Sequence, residues 1–408
     1  MQKVKEFSST TGLVMSVPKS KIYMGGVDSE CQNILMLETG FQIGQMPFRY
    51  LGVPLDSKRL TINNCQPLID RMTCRIKHWC TRMLSYAGRF LLMKSVLFSI
   101  ANYWLQISPL PKKIIHHIES LCRSFLWTGK DSISNKAPIS WEHVCDPVAA
   151  GGLSLIDLTI WNRASLGKML WNLNAKKDRM WISWVSHYYM KRGADATNYC
   201  AKQSDSWIIK SIFKYRDLFM SSRAWNEFLQ TGTYRTKQIY LELRGDRGLV
   251  SWRNIFRGNM ASPKALFILW MACQNRLHTK DRLNKIGIMT DGVCLYCNET
   301  ETCVHLFFAC RETRVFWLQV LNWSHIPHSP QAWTEELRWV TTAARGKSNR
   351  AELLRICVAE VIYHVWIVRN NRVFKNDRMA HLNLQWMLER IKYRANLDKK
   401  LRDYVDAL

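Results

Sequence analysis

The chain has 408 residues and a formal charge of +26 at pH 7, because 58 lysines and arginines stand against 32 aspartates and glutamates. Hydrophobic residues make up 47% of the chain and aromatic residues 12%, which excludes the composition of a disordered protein. This length supports two or three domains, and the basic excess favours a polyanion such as nucleic acid as partner.

The amino terminus and the apolar stretches indicate where in the cell the protein is located. The opening sequence MQKVKEFSSTTG has basic residues with no apolar run behind them, so we expect no signal peptide. Apolar stretches such as VIYHVWIV are shorter than the roughly 20 residues that cross a bilayer. These features predict a soluble intracellular protein, nuclear or cytoplasmic, without a membrane partner. In that reducing setting the 13 cysteines should be thiols or metal ligands rather than disulfides.

The pattern of apolar residues changes along the chain. Residues 1–58 combine glycines, Pro47 and short apolar pieces, which is typical of strands and hairpins. From residue 65 the spacing becomes helical, with two amphipathic helices before Pro109 and a third after Pro111. The expected fold class is therefore mainly α, with a short α+β piece at the amino terminus.

The second half of the chain continues the helical pattern after a polar, turn-rich stretch at 191–206, which we interpret as a linker. A proline near the start of PKALFILWMACQNRL, at 263–277, favours a helix there. Two closing amphipathic helices are predicted over about 351–374 and 383–405. Tryptophans at 161, 171, 181 and 184 are expected in the core rather than as platforms for nucleic-acid bases.

Lysines and arginines on the first helices form one candidate site. Each alone is typical of a solvated helix face, but as a set with few acidic residues between them they indicate a surface that faces phosphate groups. The candidate phosphate contacts are Lys58, Arg59, Arg71, Arg75, Lys77, Arg82, Arg89 and Lys94.

A second candidate site is the segment CLYCNETETCVHLFFAC at 294–310. Its spacing is Cys294-x2-Cys297-x7-His305-x4-Cys310, and four cysteine or histidine ligands suit a tetrahedral Zn²⁺ ion with a structural role. Cys303 could replace His305, and an iron–sulfur cluster would ask for four thiolates. The remaining interpretation is a chance cluster of buried thiols.

Several segments carry a family resemblance: FRYLGVPL at 48–55, GRFLLMKSVL at 88–97, FLWTG at 125–129, PISWEHVCDPVAAGGLSLIDLTIWNRASLGKMLW at 138–171, PKALFILWMACQNRLHTKDRL at 263–283 and the cysteine segment. In this order they resemble plant LINE-type (non-LTR) retroelement reverse transcriptases over nearly the whole chain. The implied domains are the end of the polymerase palm at 1–58, thumb-like helices at 59–135, a helical connection and linker at 136–206, the reverse transcriptase zinc-binding domain at 207–330, and helices at 331–408 that precede ribonuclease H in longer members. The resemblance assigns one structural Zn²⁺ to Cys294, Cys297, His305 and Cys310.

The resemblance does not extend to polymerase catalysis. The family presents an adjacent Asp-Asp pair that holds metal ions, and this sequence contains no such pair. The segment KVKEFSSTTGLVMSVPKSKIYMGG at 3–26 resembles the stretch that follows it, so we expect a palm part without its partner strands. The expected function is binding of RNA, DNA or both. Alternatives are a zinc-organised protein-interaction module, an active RNA-directed DNA polymerase if an upstream catalytic half is joined, and a degenerate copy.

Overall fold

Helices dominate the protein. The computed structural model describes residues 2–56, 58–175, 180–190, 195–377 and 379–408. Helix makes up 62% of the structure and strand 3%, so the predicted mainly α class is confirmed.

The chain divides into two compact units. One comprises Met1–Arg71, Ile100–His117 and Thr159–Arg244, and the other comprises Met72–Ser99, Ile118–Leu158 and Gly245–Leu408. We call them the first and the second unit. Each combines segments that are far apart in the sequence, whereas the five predicted domains are consecutive ranges. Those ranges stay predictions.

The strands are short and confined to the amino-terminal part. Strands β1 (Lys21–Ile22) and β2 (Gln42–Ile43) pair in parallel, and β3 (Phe48–Tyr50) and β4 (Val53–Leu55) form an antiparallel hairpin. Helices α1 (Gln2–Thr11) and α2 (Ser29–Thr39) bury no side chain. The predicted strands and hairpins are therefore present, but the first fully buried side chain along the described chain is that of Val53.

The remaining helices follow in chain order. Those up to residue 244 are α3 (Ile62–Cys80), α4 (Tyr86–Leu92), α5 (Phe98–Ile107), α6 (Lys112–Thr128), α7 (Trp141–Cys145), α8 (Leu158–Asn174), α9 (Met180–Tyr189), α10 (Trp207–Phe213), α11 (Arg216–Met220), α12 (Arg223–Thr231) and α13 (Thr236–Arg244). Those beyond it are α14 (Arg253–Phe256), α15 (Pro263–Cys273), α16 (Lys280–Lys285), α17 (Arg311–Trp323), α18 (Trp333–Ala343), α19 (Asn349–Lys375), α20 (Leu384–Ala395) and α21 (Lys399–Asp406). Short 3₁₀ turns occupy Val17–Lys19 and Val148–Ala150, and π-helical turns occupy Met93–Leu97 and His305–Ala309.

The π turn Met93–Leu97 joins α4 and α5 into one helical run, Tyr86–Ile107. Among the described residues this is the one helix long and apolar enough to cross a membrane by length and composition. The run carries Arg89 and Lys94, and its Met93 and Leu97 side chains are fully buried in the protein. Core helices pass the same test, so it is no clear membrane span.

Aromatic side chains build the core of the first unit. The ring of Trp171 meets those of Trp225 and Phe228 edge to face, at centroid distances of 5.4 and 6.0 Å. Burial of Trp171 agrees with the sequence prediction for the four tryptophans, and Trp161 is half-buried. The prediction is wrong for Trp181 and Trp184, which are 37% and 53% exposed because they lie on the outer side of α9.

Helix α19 is the centre of the second unit. It packs on α15, and most of its side chains between Ala351 and Arg369 are buried. The predicted helix starts at Pro263 as expected, with Ser262 capping it through the N–H of Ala265. The predicted helix at 383–405 is instead two helices. Asp398 accepts a hydrogen bond from the N–H of Leu401 and so begins α21 as a new helix.

Candidate metal centre and basic surface

A short hairpin presents the first two cysteines of the candidate metal centre. Cys294 N–H donates to the carbonyl of Glu299 at 2.7 Å, and Glu301 N–H donates to that of Gly292 at 2.8 Å. Val293 and Thr300 form an antiparallel bridge between these bonds. The chain therefore reverses between Cys294 and Cys297, and both sulfurs reach the same space.

A π-helical turn supplies the other two candidates. Cys310 N–H donates to the carbonyl of His305 at 2.8 Å, which closes the wider i to i+5 ring of a π turn. Two side chains five residues apart then lie on one side of the turn. This is the local reason why the His-x4-Cys spacing brings His305 and Cys310 together.

The four side chains converge on one point. The Sγ atoms of Cys294 and Cys310 are 4.0 Å apart, those of Cys310 and Cys297 are 3.9 Å apart, and Cys297 Sγ lies 3.1 Å from His305 Nε2. All four ligand atoms lie within 4.8 Å of one another. Zinc bonds of about 2.1–2.3 Å in a tetrahedron separate the ligand atoms by about 3.6–3.8 Å, so the group fits one ion of this size.

The histidine is oriented by a carboxylate. Nδ1 of His305 lies 3.1 Å from Oε2 of Glu299, while Nε2 faces the cysteines. Carboxylates in this position fix the ring and its tautomer and strengthen the histidine as a ligand. Nε2 of His305 is thus the atom available to a metal ion.

Hydrogen bonding within the cluster favours a thiolate. The Cys294 thiol donates to the sulfur of Cys310, which lowers the pKa of Cys310 and raises the pKa of Cys294. Metal ions bind the deprotonated form of cysteine. The donor set, three sulfurs and one imidazole nitrogen, is that of structural zinc sites, and a tetrahedral ion would have no free position for a reacting water.

Cys303, the alternative ligand, lies elsewhere. Its thiol is buried and points to the carbonyl of Ala272, at 3.7 Å. Burial raises the pKa of the Cys303 thiol to about 12, which disfavours the thiolate. The thiol is outside the converging group, and His305 occupies the fourth position.

A buried ion pair connects the hairpin to α19. Arg369 of α19 donates to Oε1 of Glu301 at 2.6 Å, and both side chains are fully buried. The same carboxylate accepts the backbone N–H of Lys280 at 2.8 Å, and the Lys280 ammonium reaches Asp291 at 2.7 Å. Sequence analysis missed these supporting residues, since no spacing signal links positions 68 residues apart.

Aromatic packing holds the π turn from the other side. Phe307 and Phe308 lie 5.5 and 5.6 Å from the ring of Trp333, and Phe308 also lies 5.8 Å from Trp317. Trp317 in turn donates its Nε1 proton to the buried Glu336 at 2.6 Å. These contacts fix the backbone between two of the four candidate ligands.

The predicted phosphate contacts do not share one environment. Seven of them are exposed: Lys58, Arg59, Arg71, Arg75, Lys77, Arg82 and Lys94. Arg71 and Arg75 lie one turn apart on α3. Arg89 is half-buried, stacks on Tyr86 at 4.5 Å and donates to the carbonyl of Phe125 at 3.2 Å, near the end of α6. Its guanidinium is occupied by internal partners, so the exposed seven are the better candidates.

Comparison with known proteins places the metal cluster in a family context. The family described as zinc-binding in reverse transcriptase matches residues 234–317, a range that contains all four candidate ligands. The match indicates a zinc module derived from a reverse transcriptase and supports a retroelement origin.

One relative extends the comparison beyond the module. A protein of Arabidopsis thaliana, provisionally named a ribonuclease H protein, is 22% identical to this chain in an alignment that covers 66% of this chain and 58% of the relative. The chain thus spans less than two thirds of that relative's length.

Proposed function

We propose that this chain is a nucleic-acid-binding part of a LINE-type reverse transcriptase, in which Cys294, Cys297, His305 and Cys310 hold one structural Zn²⁺ ion. The observation that carries the proposal is the convergence of these four ligands inside the segment that matches the reverse transcriptase zinc-binding family. The bound ion would cross-link the hairpin and the π turn. Polymerase chemistry is not part of the proposal.

The charge of the protein supports nucleic acid as the partner. The cations of α3 and the loop before it are exposed, the acidic residues of this stretch are Asp56 and Asp70, and the formal charge of the chain is +26. Neutralising phosphates releases counterions, so the affinity should fall steeply as salt rises. The name of the Arabidopsis thaliana relative, which refers to a ribonuclease H, is consistent with a nucleic-acid ligand.

The test compares the purified full chain with a Cys294→Ser/Cys310→Ser variant. Elemental analysis should give one zinc per wild-type chain and none for the variant, because two of four ligands are lost. A Cys31→Ser/Cys74→Ser variant, which removes two exposed cysteines outside the cluster, should keep its zinc. Wild-type protein that folds without zinc would contradict the metal assignment, and binding of labelled RNA and DNA that is insensitive to salt would contradict the phosphate contacts.

A second candidate function is protein docking at the zinc module. Exposed apolar side chains precede and flank the hairpin, with Ile286, Ile288 and Met289 at 55%, 52% and 88% exposure. Such a group beside a zinc site suits a protein partner. An Ile288→Ser/Met289→Ser variant that binds nucleic acid normally but loses a co-purifying protein would favour this function.

A further inference from the structure

A basic cavity of about 430 Å³ lies in the first unit, where the beginning of α6 meets α8, α10 and the two residues after α10, Lys214 and Tyr215. Five cationic side chains line it: Arg59, Lys112, Arg163, Lys210 and Lys214. No carboxylate lines the cavity in the part of the chain that the structure describes. The volume is within the range of about 300–1,000 Å³ that holds small ligands.

Aromatic rings hold three of these cations. The guanidinium of Arg59 lies over the ring of Trp207 at 5.6 Å, and Arg163 and Lys214 lie over Tyr215 at 5.8 and 5.5 Å. Within the described ranges none of these three has a carboxylate at ion-pair distance. Rings of this kind position a cation without neutralising it, so the positive charge stays available to an anion.

The cavity also receives the amino-terminal end of a long helix. Lys112 is the first residue of α6, which has 17 residues, and the N–H groups of Ile114 and Ile115 donate to the carbonyl of Pro111 at 3.0 and 3.2 Å. The aligned peptide dipoles of a helix add positive potential at its first residues. Cations, helix end and aromatic rings therefore face the same space.

We propose that this cavity binds a nucleotide unit of single-stranded nucleic acid, with a phosphate on Arg163 and Lys214 and a base against Trp207. The proposal rests on the proposed nucleic-acid-binding function and gives that function a defined site. Of the five cations that line the site, only Arg59 was a candidate phosphate contact from the sequence. A duplex offers phosphates but keeps its bases stacked inside, whereas a single strand offers both groups. The pairing of charge with aromatic surface therefore selects the single strand.

The first measurement tests the phosphate contact. The full chain is titrated by fluorescence anisotropy with a labelled oligothymidylate of about 15 nucleotides and with an abasic strand of equal length. Arg163→Gln/Lys214→Gln should weaken both complexes and reduce the slope of log affinity against log salt by about 1.4, since each single-strand phosphate contact contributes about 0.7. Lys399→Gln/Lys400→Gln removes two exposed cations of α21 and should leave the affinity unchanged. The charge-conserving Arg163→Lys/Lys214→Arg variant should bind well, which separates loss of charge from loss of fold.

The second measurement tests the base contact. Trp207→Leu should weaken the oligothymidylate complex about tenfold and the abasic complex much less, because only the former has a base to stack. Trp184→Leu, at an exposed tryptophan outside the cavity, is the matched control.

Three outcomes would overturn a claim. If Arg163→Gln/Lys214→Gln binds as tightly as Lys399→Gln/Lys400→Gln, this cavity is not the binding site. Binding by the wild type would still support the proposed nucleic-acid-binding function. Equal weakening of both strands by Trp207→Leu would remove the base contact. A wild-type protein that binds no strand would contradict the proposed function itself.

Discussion

Glu299 contacts His305 but is not one of the four converging candidate ligands. A substitution at Glu299 therefore tests how much the orientation of His305 adds to metal binding. Glu299→Gln removes the negative charge next to Nδ1 of His305, at 3.1 Å, and keeps the size of the side chain. We expect zinc affinity to fall about 10–100-fold because the imidazole becomes a weaker and less fixed ligand. Competition with a chromophoric chelator measures this. Glu335→Gln, at an exposed carboxylate of α18, should not change the affinity.

His364 predicts a pH dependence of stability. Burial lowers the pKa of His364 from 6.5 to about 4, and its Nε2 accepts the N–H of Asn383 at 3.1 Å, which requires the neutral ring. The unfolded chain takes up the proton as the pH falls through about 6.5, and the folded protein only near pH 4. The free energy of unfolding is therefore unaffected by His364 above about pH 6.5. It decreases as the pH falls from about 6.5 to 4, by up to about 3 kcal/mol in total.

The variant His364→Gln has no titrating group at this position, so comparing it with the wild type isolates the contribution of His364 to the pH dependence of stability. Denaturant unfolding at several pH values should give a shallower pH dependence for this variant between pH 6.5 and 4 than for the wild type. His187→Gln, at an exposed histidine, should follow the wild type. Parallel pH curves for all three proteins would rule out the buried histidine as the cause.

The sequence predicted which side chains meet where the partners are close neighbours along the chain. Cys294, Cys297, His305 and Cys310 could be proposed from spacing alone, because a tight turn and a π turn bring them together locally. Spacing alone left Cys303 as an alternative to His305, and the structure directs the Cys303 thiol to Ala272. Seven of the eight basic candidates are exposed, whereas Arg89 is occupied by internal partners, which its position in the sequence does not reveal.

Helix α19 depends on one buried ion pair near its carboxyl end. Arg369→Met would leave the Glu301 carboxylate buried without its counter-charge, and such changes cost about 3–5 kcal/mol. The free energy of unfolding, measured with denaturant, should fall by that amount. Adding Glu301→Gln to Arg369→Met should recover part of the loss, because the uncompensated charge is removed.

The control for this pair is an exposed one. Arg402 and Asp403 are paired at 3.3 Å on α21 with 44% and 59% of their side chains exposed. Arg402→Met should change the stability by less than about 1 kcal/mol, since water screens such pairs. If Arg369→Met proves as mild as this control, the pair does not hold α19 to the hairpin.

Elements were predicted best where a long apolar face coincides with a cap signal. Helix α15 begins at its proline, and α19 has bounds within a few residues of the predicted 351–374. The division of 383–405 into α20 and α21 was missed because amphipathic spacing continues across the break at Asp398. The tryptophans of α9 were misplaced because hydrophobicity alone does not say which side of a helix faces the core.

Over the whole molecule, charge is distributed unevenly between buried and exposed groups. The buried carboxylates of Glu301, Glu336 and Glu360 each accept hydrogen bonds from internal donors. Many lysines and arginines remain at the surface. Composition predicted this excess but not its arrangement, because the basic cavity joins residues from four separate stretches of sequence.

The interleaving of the two units has a consequence for synthesis on the ribosome. The first unit has received its last residue once Arg244 has emerged, whereas the second unit lacks its central helix until position 375 has been made. Until then the nascent hairpin with Glu301 has no Arg369 to meet, and the apolar surface that α19 will cover is open to chaperones. A protease that cuts stalled chains would find the candidate ligand segment at 294–310 complete in sequence and still without its support.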